Sequence, residues 1–245
     1  MFDAHNHLDV PAFDADRAAV WAAAQAAGVT GCLIAGADPR DADRVAAVAD
    51  ALGQPYALGV HPWWTDAVEG VDALATLAAR PDLGIVGETG LDRRKATSDA
   101  AWQAQRALFR DHLALARGRE LPVVLHVVGA YPEALAVLRA DGLPRAGGMV
   151  HAWSGPADLV EAYVALGLQL SFGGAVTRSR RLLRAALATP DAARLIESDA
   201  PDQPPLGATA SAPRDVAAIC AMLSGHADRA IGAPRPRLLA ATRWA

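Results

Sequence analysis

Most histidines of this chain follow short apolar runs of the kind that form β-strands. Five of the seven histidines are placed in this way, and so are two carboxylates. Histidine, aspartate and glutamate are ligand types that divalent cations commonly take from proteins. Strands that all end in such residues indicate a sheet that brings them to one edge. The residues concerned are His5, His7, His61, Glu88, His126, His151 and Asp199.

The pair His5 and His7 is the most informative of these motifs. Side chains two residues apart on a strand point to the same side, so both imidazoles can bind one cation. Asp199 follows the last predicted strand, which is next to the first strand in a closed barrel, and can complete the same ligand set. Each of these residues, considered alone, is equally compatible with a buried structural role.

A second ligand set is predicted from His126 and His151, which end two neighbouring strands. Glu88 ends the strand before them, and a carboxylate can bridge two cations through its two oxygens. Nitrogen and oxygen ligands without thiolate suit Zn²⁺, Mn²⁺ or Mg²⁺. Two such ions, about 3.5–4 Å apart, would clamp the attacking and leaving oxygens of a hydrolysis and lower the pKa of a bound water.

The elements that must position these residues alternate along the chain. Short apolar runs alternate with longer segments of helical spacing, which predicts consecutive βαβ units and a parallel sheet. Eight strands favour an α/β fold of the (β/α)8 TIM-barrel type, as a single domain spanning residues 1–245. The predicted strands are residues 2–4, 31–35, 56–60, 83–87, 122–126, 148–151, 168–172 and 194–198, and the predicted helices are residues 15–27, 41–52, 98–117, 131–140, 156–166, 179–188 and 212–223.

Composition excludes several classes of protein. The apolar runs are too short for a membrane span, although 52% of the residues are hydrophobic. No secretory signal is visible at the start, and Cys32 and Cys220 are too few for a disulfide scaffold, so we expect a cytoplasmic protein with reduced cysteines. The net charge of −4 gives no overall basic footprint for nucleic acid. We expect no membrane association, and no obligate protein partner is evident.

The chain resembles the TatD family of metal-dependent hydrolases over residues 1 to about 202. The matching motifs, in the family's order, are Phe2–Asp9, Gly59–Pro62, Gly87–Asp92, Leu121–His126, Val150–Gly155 and Ile196–Pro201.

The resemblance implies a TIM barrel with two divalent metals and a definite division of ligands. His5, His7 and Asp199 would bind one ion, His126 and His151 would bind the other, and Glu88 would bridge the two ions. His61 would be a substrate-side histidine near the phosphate or leaving group. Members of the family are described as magnesium-dependent deoxyribonucleases, several of them 3′ to 5′ exonucleases.

The predicted activity is metal-assisted hydrolysis of a phosphodiester, on DNA ends or a smaller substrate. A hydroxide held between two cations would attack the electrophilic centre, and Asp199 would take its proton. Asp199, Glu88 and His61 are therefore the candidate catalytic residues.

One departure from the family pattern concerns the substrate. The family continues after the fifth-strand histidine with a small polar residue and then Arg-Asp, whereas Val127 and Val128 follow here. Valine cannot bind phosphate as arginine does. An alternative activity is therefore hydrolysis of a small ester, lactone or amide. Arg93, Arg94 and Arg178 could replace the missing cation, or could be solvated arginines at helix starts.

Aromatic residues in the predicted rim loops are further candidates for substrate contact. Trp63 and Trp153 follow the third- and sixth-strand histidines, and exposed indoles there could stack on bases. The alternative is that they pack the loops over the barrel. Asp92 is a candidate for orienting a neighbouring arginine or a metal-bound water, while His112 and His226 have no partner pattern and are predicted to be structural.

Overall fold

A closed parallel sheet forms the centre of the molecule. The computed structural model describes residues 1–65 and 67–245, with the backbone alone for residues 67–71. The strands pair in sequence order, and every neighbouring pair is parallel. They are Phe2–Asn6 (β1), Gly31–Gly36 (β2), Tyr56–Leu58 (β3), Val86–Asp92 (β4), Val123–Val128 (β5), Gly148–Val150 (β6), Gln169–Phe172 (β7) and Arg194–Ile196 (β8).

The end of β8 lies against β1, which closes the sheet into a barrel. The backbone N–H of Asp199 donates to the carbonyl of His5 at 3.0 Å. The buried carboxylate of Asp3 accepts hydrogen bonds from the backbone N–H of Ser198 at 2.8 Å and from its hydroxyl at 2.6 Å. The predicted (β/α)8 TIM-barrel fold is therefore confirmed.

Eight α-helices cover the barrel in the described part of the chain. One of them, Ala67–Ala78, was not predicted, and Gly70 within it weakens its helical pattern because glycine lowers helix propensity. None of the described helices is long and apolar enough to cross a membrane. The helices are Arg17–Ala26 (α1), Ala42–Leu52 (α2), Ala67–Ala78 (α3), Asp99–Gly118 (α4), Tyr131–Asp141 (α5), Val160–Ala165 (α6), Arg180–Ala188 (α7) and Asp215–Ala227 (α8).

Small and branched apolar side chains fill the inside of the barrel, as expected for strands buried on both faces. This interior cluster includes Leu33, Ile85 and Val124. The C-terminal tail joins it: Leu238 and Leu239, in a short 3₁₀ helix, are buried at the end of the barrel where the strands begin. That end is therefore plugged, and the opposite end is left for the site.

Strand β4 is displaced from its predicted position at residues 83–87. It begins at Val86 and continues to Asp92, so Glu88 lies within the strand instead of following it. Gly90 has a φ of +144°, and a Cβ atom at that position would overlap the carbonyl oxygen of His126. Glycine thus lets β4 and β5 approach closely where both carry candidate ligands.

Candidate metal centre

The carboxyl ends of the strands surround a cavity of about 460 Å³. Most of the predicted ligands lie at its floor, because parallel strands of a barrel all end on the same face. The residues that line the cavity are His7, Asp9, Val10, Ala37, Asp38, Asp41, His61, Trp63, Trp64, Glu88, His126, His151, Asp199, Pro201, Asp202 and Gln203.

Glu88 lies between two groups of histidines, with one carboxylate oxygen toward each. Its Oε1 lies 2.6 Å from Nε2 of His151 and 3.1 Å from Nδ1 of His126. Its Oε2 lies 3.4 Å from Nε2 of His5 and 3.7 Å from Nε2 of His7. Oε2 is buried without a hydrogen-bond partner, which is costly unless a cation compensates it.

The first group consists of His5, His7 and Asp199. The Nε2 atoms of the two histidines are 3.4 Å apart, and Oδ1 of Asp199 lies 3.7 Å and 3.5 Å from them. These atoms converge as ligands of one cation would. Asp199 has a φ of 53°, in the left-handed region, and such strain is often found at functional sites.

The second group consists of His126 and His151. Nδ1 of His126 lies 3.0 Å from Nε2 of His151, and both face the same oxygen of Glu88. The ring of His151 also stacks on that of His5, with centroids 3.9 Å apart, so the two groups are adjacent. The structure thus brings together all six predicted ligands, and this nitrogen and oxygen set fits divalent cations.

The electrostatics of the cluster favour positive charge. Burial opposes ionisation of Asp199, but the hydrogen bond from His7 and the nearby imidazoles hold the pKa of this carboxyl at about 2. Burial opposes ionisation of Glu88 too, yet the surrounding histidines keep its pKa well below the usual range. Burial lowers the pKa of His7, and the carboxylates of Asp199 and Glu88 outweigh this and raise it to about 10. The cluster therefore takes up protons or cations.

His61 differs from the other histidines in the direction of its ring. Its Nδ1 accepts a hydrogen bond from the backbone N–H of Trp63 at 3.2 Å. A neutral imidazole that accepts at Nδ1 carries its proton on Nε2, and this atom lies 3.4 Å from Oε1 of Glu88. Burial lowers the pKa of His61 to about 4. His61 therefore presents an N–H donor to the cavity, although its position beside Glu88 and His126 would also suit a ligand.

Two residues that lie against the candidate ligands were not identified from the sequence. Gln203 donates from Nε2 to Oδ2 of Asp199 at 2.8 Å. Glu197 is fully buried, with Oε1 3.7 Å from Nδ1 of His151. A carboxylate in an apolar strand end is expensive to bury without partners, and that signal could have indicated a role for Glu197. Gln203 lies in a loop and left no such signal.

The rim tryptophans differ in exposure. Trp63 and Trp64 line the cavity and are 51% and 40% exposed. Trp153, which was predicted either to contact substrate or to pack the loop over the barrel, is buried and only 2% exposed. It packs against Tyr131 and Tyr163, with ring centroids 4.7 Å and 5.0 Å away. Trp153 therefore fills the space under the loop.

The predicted arginines are exposed but do not line the cavity. Arg93 places its guanidinium 4.8 Å from the ring centroid of Trp102, and Arg178 donates to the carbonyl of Pro204. Arg94 donates its backbone N–H to Asp92 at 3.0 Å. Any contact of these arginines with substrate would therefore involve parts of it outside the cavity.

A barrel whose strand ends gather four histidines and two carboxylates around one cavity defines the class of metal-dependent barrel hydrolases. Within that class, the family described as TatD related DNase matches residues 2–231. The chain belongs to this family.

Individual relatives agree with that assignment. The uncharacterized metal-dependent hydrolase YjjV of Escherichia coli is 33% identical over 211 residues, which cover 83% of this chain and 80% of the relative. Its crystal structure superposes with a TM-score of 0.83, covering 98% of this chain and 94% of that chain at 29% identity. The protein named 3′-5′ ssDNA/RNA exonuclease TatD from Pantoea vagans is 36% identical over 214 residues, covering 82% of this chain and 79% of the relative.

Proposed function

We propose that this protein is a two-metal phosphodiesterase that removes nucleotides from the 3′ end of single-stranded nucleic acid. The observation that carries the proposal is the division of Glu88, which turns one oxygen toward His5 and His7 and the other toward His126 and His151. A relative that is 36% identical carries the name 3′-5′ ssDNA/RNA exonuclease, which supports this choice of substrate.

The roles of the ligands follow from their distances. His5, His7 and Asp199 would hold one divalent cation, His126 and His151 the other, and Glu88 both. Such ions, when bound, would polarise the bond that is cleaved and lower the pKa of water, so that hydroxide is available as the nucleophile at neutral pH.

Asp199 and His61, at the floor of the cavity, would transfer a proton and orient the substrate. Asp199 is held ionised, with Oδ2 fixed by Gln203, so it can accept a proton from the attacking water. The Nε2–H of His61 can donate to a phosphoryl oxygen or to the leaving group. Charge that develops in the transition state is stabilised by such preorganised donors.

Exposed aromatic rings at the mouth of the cavity support a nucleotide substrate. The indoles of Trp63 and Trp64 offer stacking surfaces for bases, a contact worth about 1–3 kcal/mol per base in single-strand binders. Lys95 lies 4.5 Å from the ring centroid of Trp63, and Arg40 lies 4.7 Å from that of Trp64. Lys95 is therefore a cation that phosphate could approach beside Trp63, whereas Arg40 forms an ion pair with Asp38 at 2.6 Å.

A second candidate function is hydrolysis of a small ester, lactone or amide. The cavity wall carries four carboxylates besides the candidate ligands, and none of the described residues that line it is lysine or arginine. Carboxylates repel a polyanion and accept hydrogen bonds from amines and hydroxyls. Buried Val127 stands beside His126, in a region where the family has its arginine. These features favour a small substrate without multiple phosphates.

Parallel assays separate the two functions. We would incubate the protein with Mg²⁺, Mn²⁺ or Zn²⁺ and end-labelled single-stranded DNA or RNA, with the 3′ end free or blocked. Aryl phosphodiesters and aryl esters would be assayed alongside, with Asp199→Asn as the inactive control. Stepwise shortening that a 3′ block prevents is the expected result. Intact oligonucleotides together with metal-dependent ester cleavage would establish the second function instead.

A further inference from the structure

Asp92 lies behind one of the candidate ligands without facing the cluster itself. It ends β4 and is 3% exposed. Its Oδ2 lies 3.4 Å from Nε2 of His126, on the side of the ring that faces away from Glu88. The same oxygen accepts a hydrogen bond from the indole N–H of Trp63 at 2.8 Å. One carboxylate oxygen thus meets both a candidate ligand and a residue at the cavity mouth.

The contact determines which nitrogen of His126 is free. Nδ1 faces Oε1 of Glu88 and Nε2 of His151 at 3.1 Å and 3.0 Å. A neutral imidazole can offer a lone pair at only one nitrogen, and the other must carry the proton. Oδ2 of Asp92 stands where that proton on Nε2 would be accepted. The lone pair of Nδ1 is then directed toward Oε1 of Glu88 and Nε2 of His151, where the second cation would lie.

Asp92 is itself held by neighbouring elements. Its backbone N–H donates to Oε1 of Gln105 at 2.9 Å, and its Oδ1 accepts from the backbone N–H of Arg94 at 3.0 Å. Gln105, on α4, also donates to the carbonyl of Pro62 at 3.2 Å, just before Trp63. The carboxylate cannot rotate away without breaking its hydrogen bonds from Arg94 and Trp63, so its direction is preorganised.

We infer that Asp92 is a positioning residue for the second metal position, formed by His126 and His151: it orients His126 through Nε2. The inference rests on the proposed metal binding at this cluster. It adds that the affinity of the second position depends on a carboxylate that does not touch the ion. Carboxylate–histidine–metal arrangements of this kind tune affinity in known metal sites.

Metal titration of apoprotein without substrate tests the inference. Wild type, Asp92→Ala and Asp92→Asn would be titrated with Co²⁺ by calorimetry and visible absorption. Asp111→Ala removes an exposed carboxylate from α4 and is the matched control. We expect two Co²⁺ per wild-type chain. In Asp92→Ala, the Kd of the ion at the second position, formed by His126 and His151 and called the second ion, should be roughly 10- to 100-fold higher. Asp92→Asn should fall between, because its amide oxygen can still accept the Nε2–H.

Other changes in the same experiment keep the result interpretable. The first ion should bind all variants with the wild-type Kd, and the Co²⁺ spectrum of the second ion should change only in the Asp92 variants. Trp63→Phe removes the indole N–H but leaves the contact to His126, so its second-ion Kd should stay within about threefold of wild type. Melting temperatures of the apoproteins monitor the fold.

Two outcomes would overturn the inference: second-ion binding in Asp92→Ala that matches wild type, or a wild-type chain that binds fewer than two ions. Failure of the proposed nuclease activity looks different, because the titration uses no substrate. A chain that binds two Co²⁺ and cleaves no phosphodiester would refute the proposed substrate while the role of Asp92 is still decided by Kd.

Discussion

His61 and His126 lie side by side at the floor of the cavity, with ring centroids 4.3 Å apart, yet their protons are placed differently. The nitrogen of His61 that faces away from the cavity accepts a backbone N–H, so its inner nitrogen carries the proton. The outward nitrogen of His126 meets the Asp92 carboxylate, so its inner nitrogen can offer a lone pair. The partner outside the cluster therefore determines whether the inner nitrogen of a histidine carries a proton or offers a lone pair to a cation.

Replacing His61 with alanine should separate these two roles. We expect kcat to fall by roughly 10²- to 10³-fold, as when a preorganised donor to the transition state is removed, with metal content unchanged. Single-turnover rates and elemental analysis of the purified variant would measure both quantities. Loss of a metal ion from His61→Ala would show instead that His61 is a ligand.

Glu88→Ala should reduce metal occupancy more broadly than a change at any one histidine. Its two oxygens face both groups, so its removal weakens both positions and leaves four histidines without their shared counter-charge. We expect fewer than two ions per chain by elemental analysis after dialysis against buffered metal. Two fully occupied positions in this variant would contradict a bridging role.

At the scale of elements, α4 supports the loop that carries His61. Its inner face is mostly apolar, but Gln105 and His112 are buried within it. Nε2 of His112 accepts the backbone N–H of Val60 at 3.0 Å, and Nδ1 donates to the carbonyl of Leu108 at 2.7 Å. Buried backbone groups need such partners. His112 therefore has a structural role, as predicted, and it supports the loop that follows β3.

His112 should make stability depend on pH. Burial lowers the pKa of His112 from 6.5 to about 4. Between these two pH values the imidazole is therefore protonated in the unfolded chain and neutral in the folded chain. The neutral, buried His112 therefore contributes its full share to the free energy of unfolding above pH 6.5. This contribution, up to about 3 kcal/mol, is lost as the pH falls toward 4. Urea unfolding of metal-free protein should show a shallower loss in His112→Gln than in wild type. His226→Gln, at an exposed position, is the control, and equal slopes in all three proteins would contradict the prediction.

Local sequence predicted the elements well where apolar runs and helical spacing are strong. All eight strands lie at or near their predicted places, because a strand buried on both faces leaves an uninterrupted apolar run. The extension of β4 to Asp92 was missed because polar residues interrupt its pattern from Glu88 onward. Helix α6 was predicted too long, since a 3₁₀ turn at Ala157–Leu159 precedes Val160.

The site was predictable to a similar degree and for a related reason. Ligand types at strand ends are visible in the sequence because the barrel places every strand end on one face. Gln105, Glu197 and Gln203 act through contacts with other elements, which no local pattern shows. The direction of Trp153 likewise depends on tyrosines of α5 and α6, so its place in a rim loop could not distinguish packing from substrate contact.

At the scale of the whole molecule, six carboxylate side chains line the cavity of a protein whose net charge is only −4. Without cations, the ionised Glu88 and Asp199 are balanced by protons on the histidines, as the raised pKa values of His7 and His151 indicate. Metal binding must displace those protons. The metal-free and metal-bound proteins should therefore differ in stability and in protonation.

Metal loading should accordingly stabilise the fold and release protons. At a free-metal concentration about 100 times Kd, one ion adds about 2.7 kcal/mol, which corresponds to roughly 5–10 °C in melting temperature for a chain of this size. Because protons compete for His7, affinity should rise with pH between 6 and 8. Calorimetry in buffers of different ionisation enthalpy would count the released protons. Equal melting temperatures with Mn²⁺ and with a chelator would contradict the prediction.

The closure of the barrel between β8 and β1 has a consequence for the order of events during synthesis. Asp3 and Ser198, which join the two strands, are 195 residues apart in the chain. His5 and His7 leave the ribosome before Asp199, which follows only after all eight strands have been made. Because closing so long a loop costs chain entropy, we expect this contact to form late. Any cation that the complete first group binds would therefore be captured only after the barrel has closed.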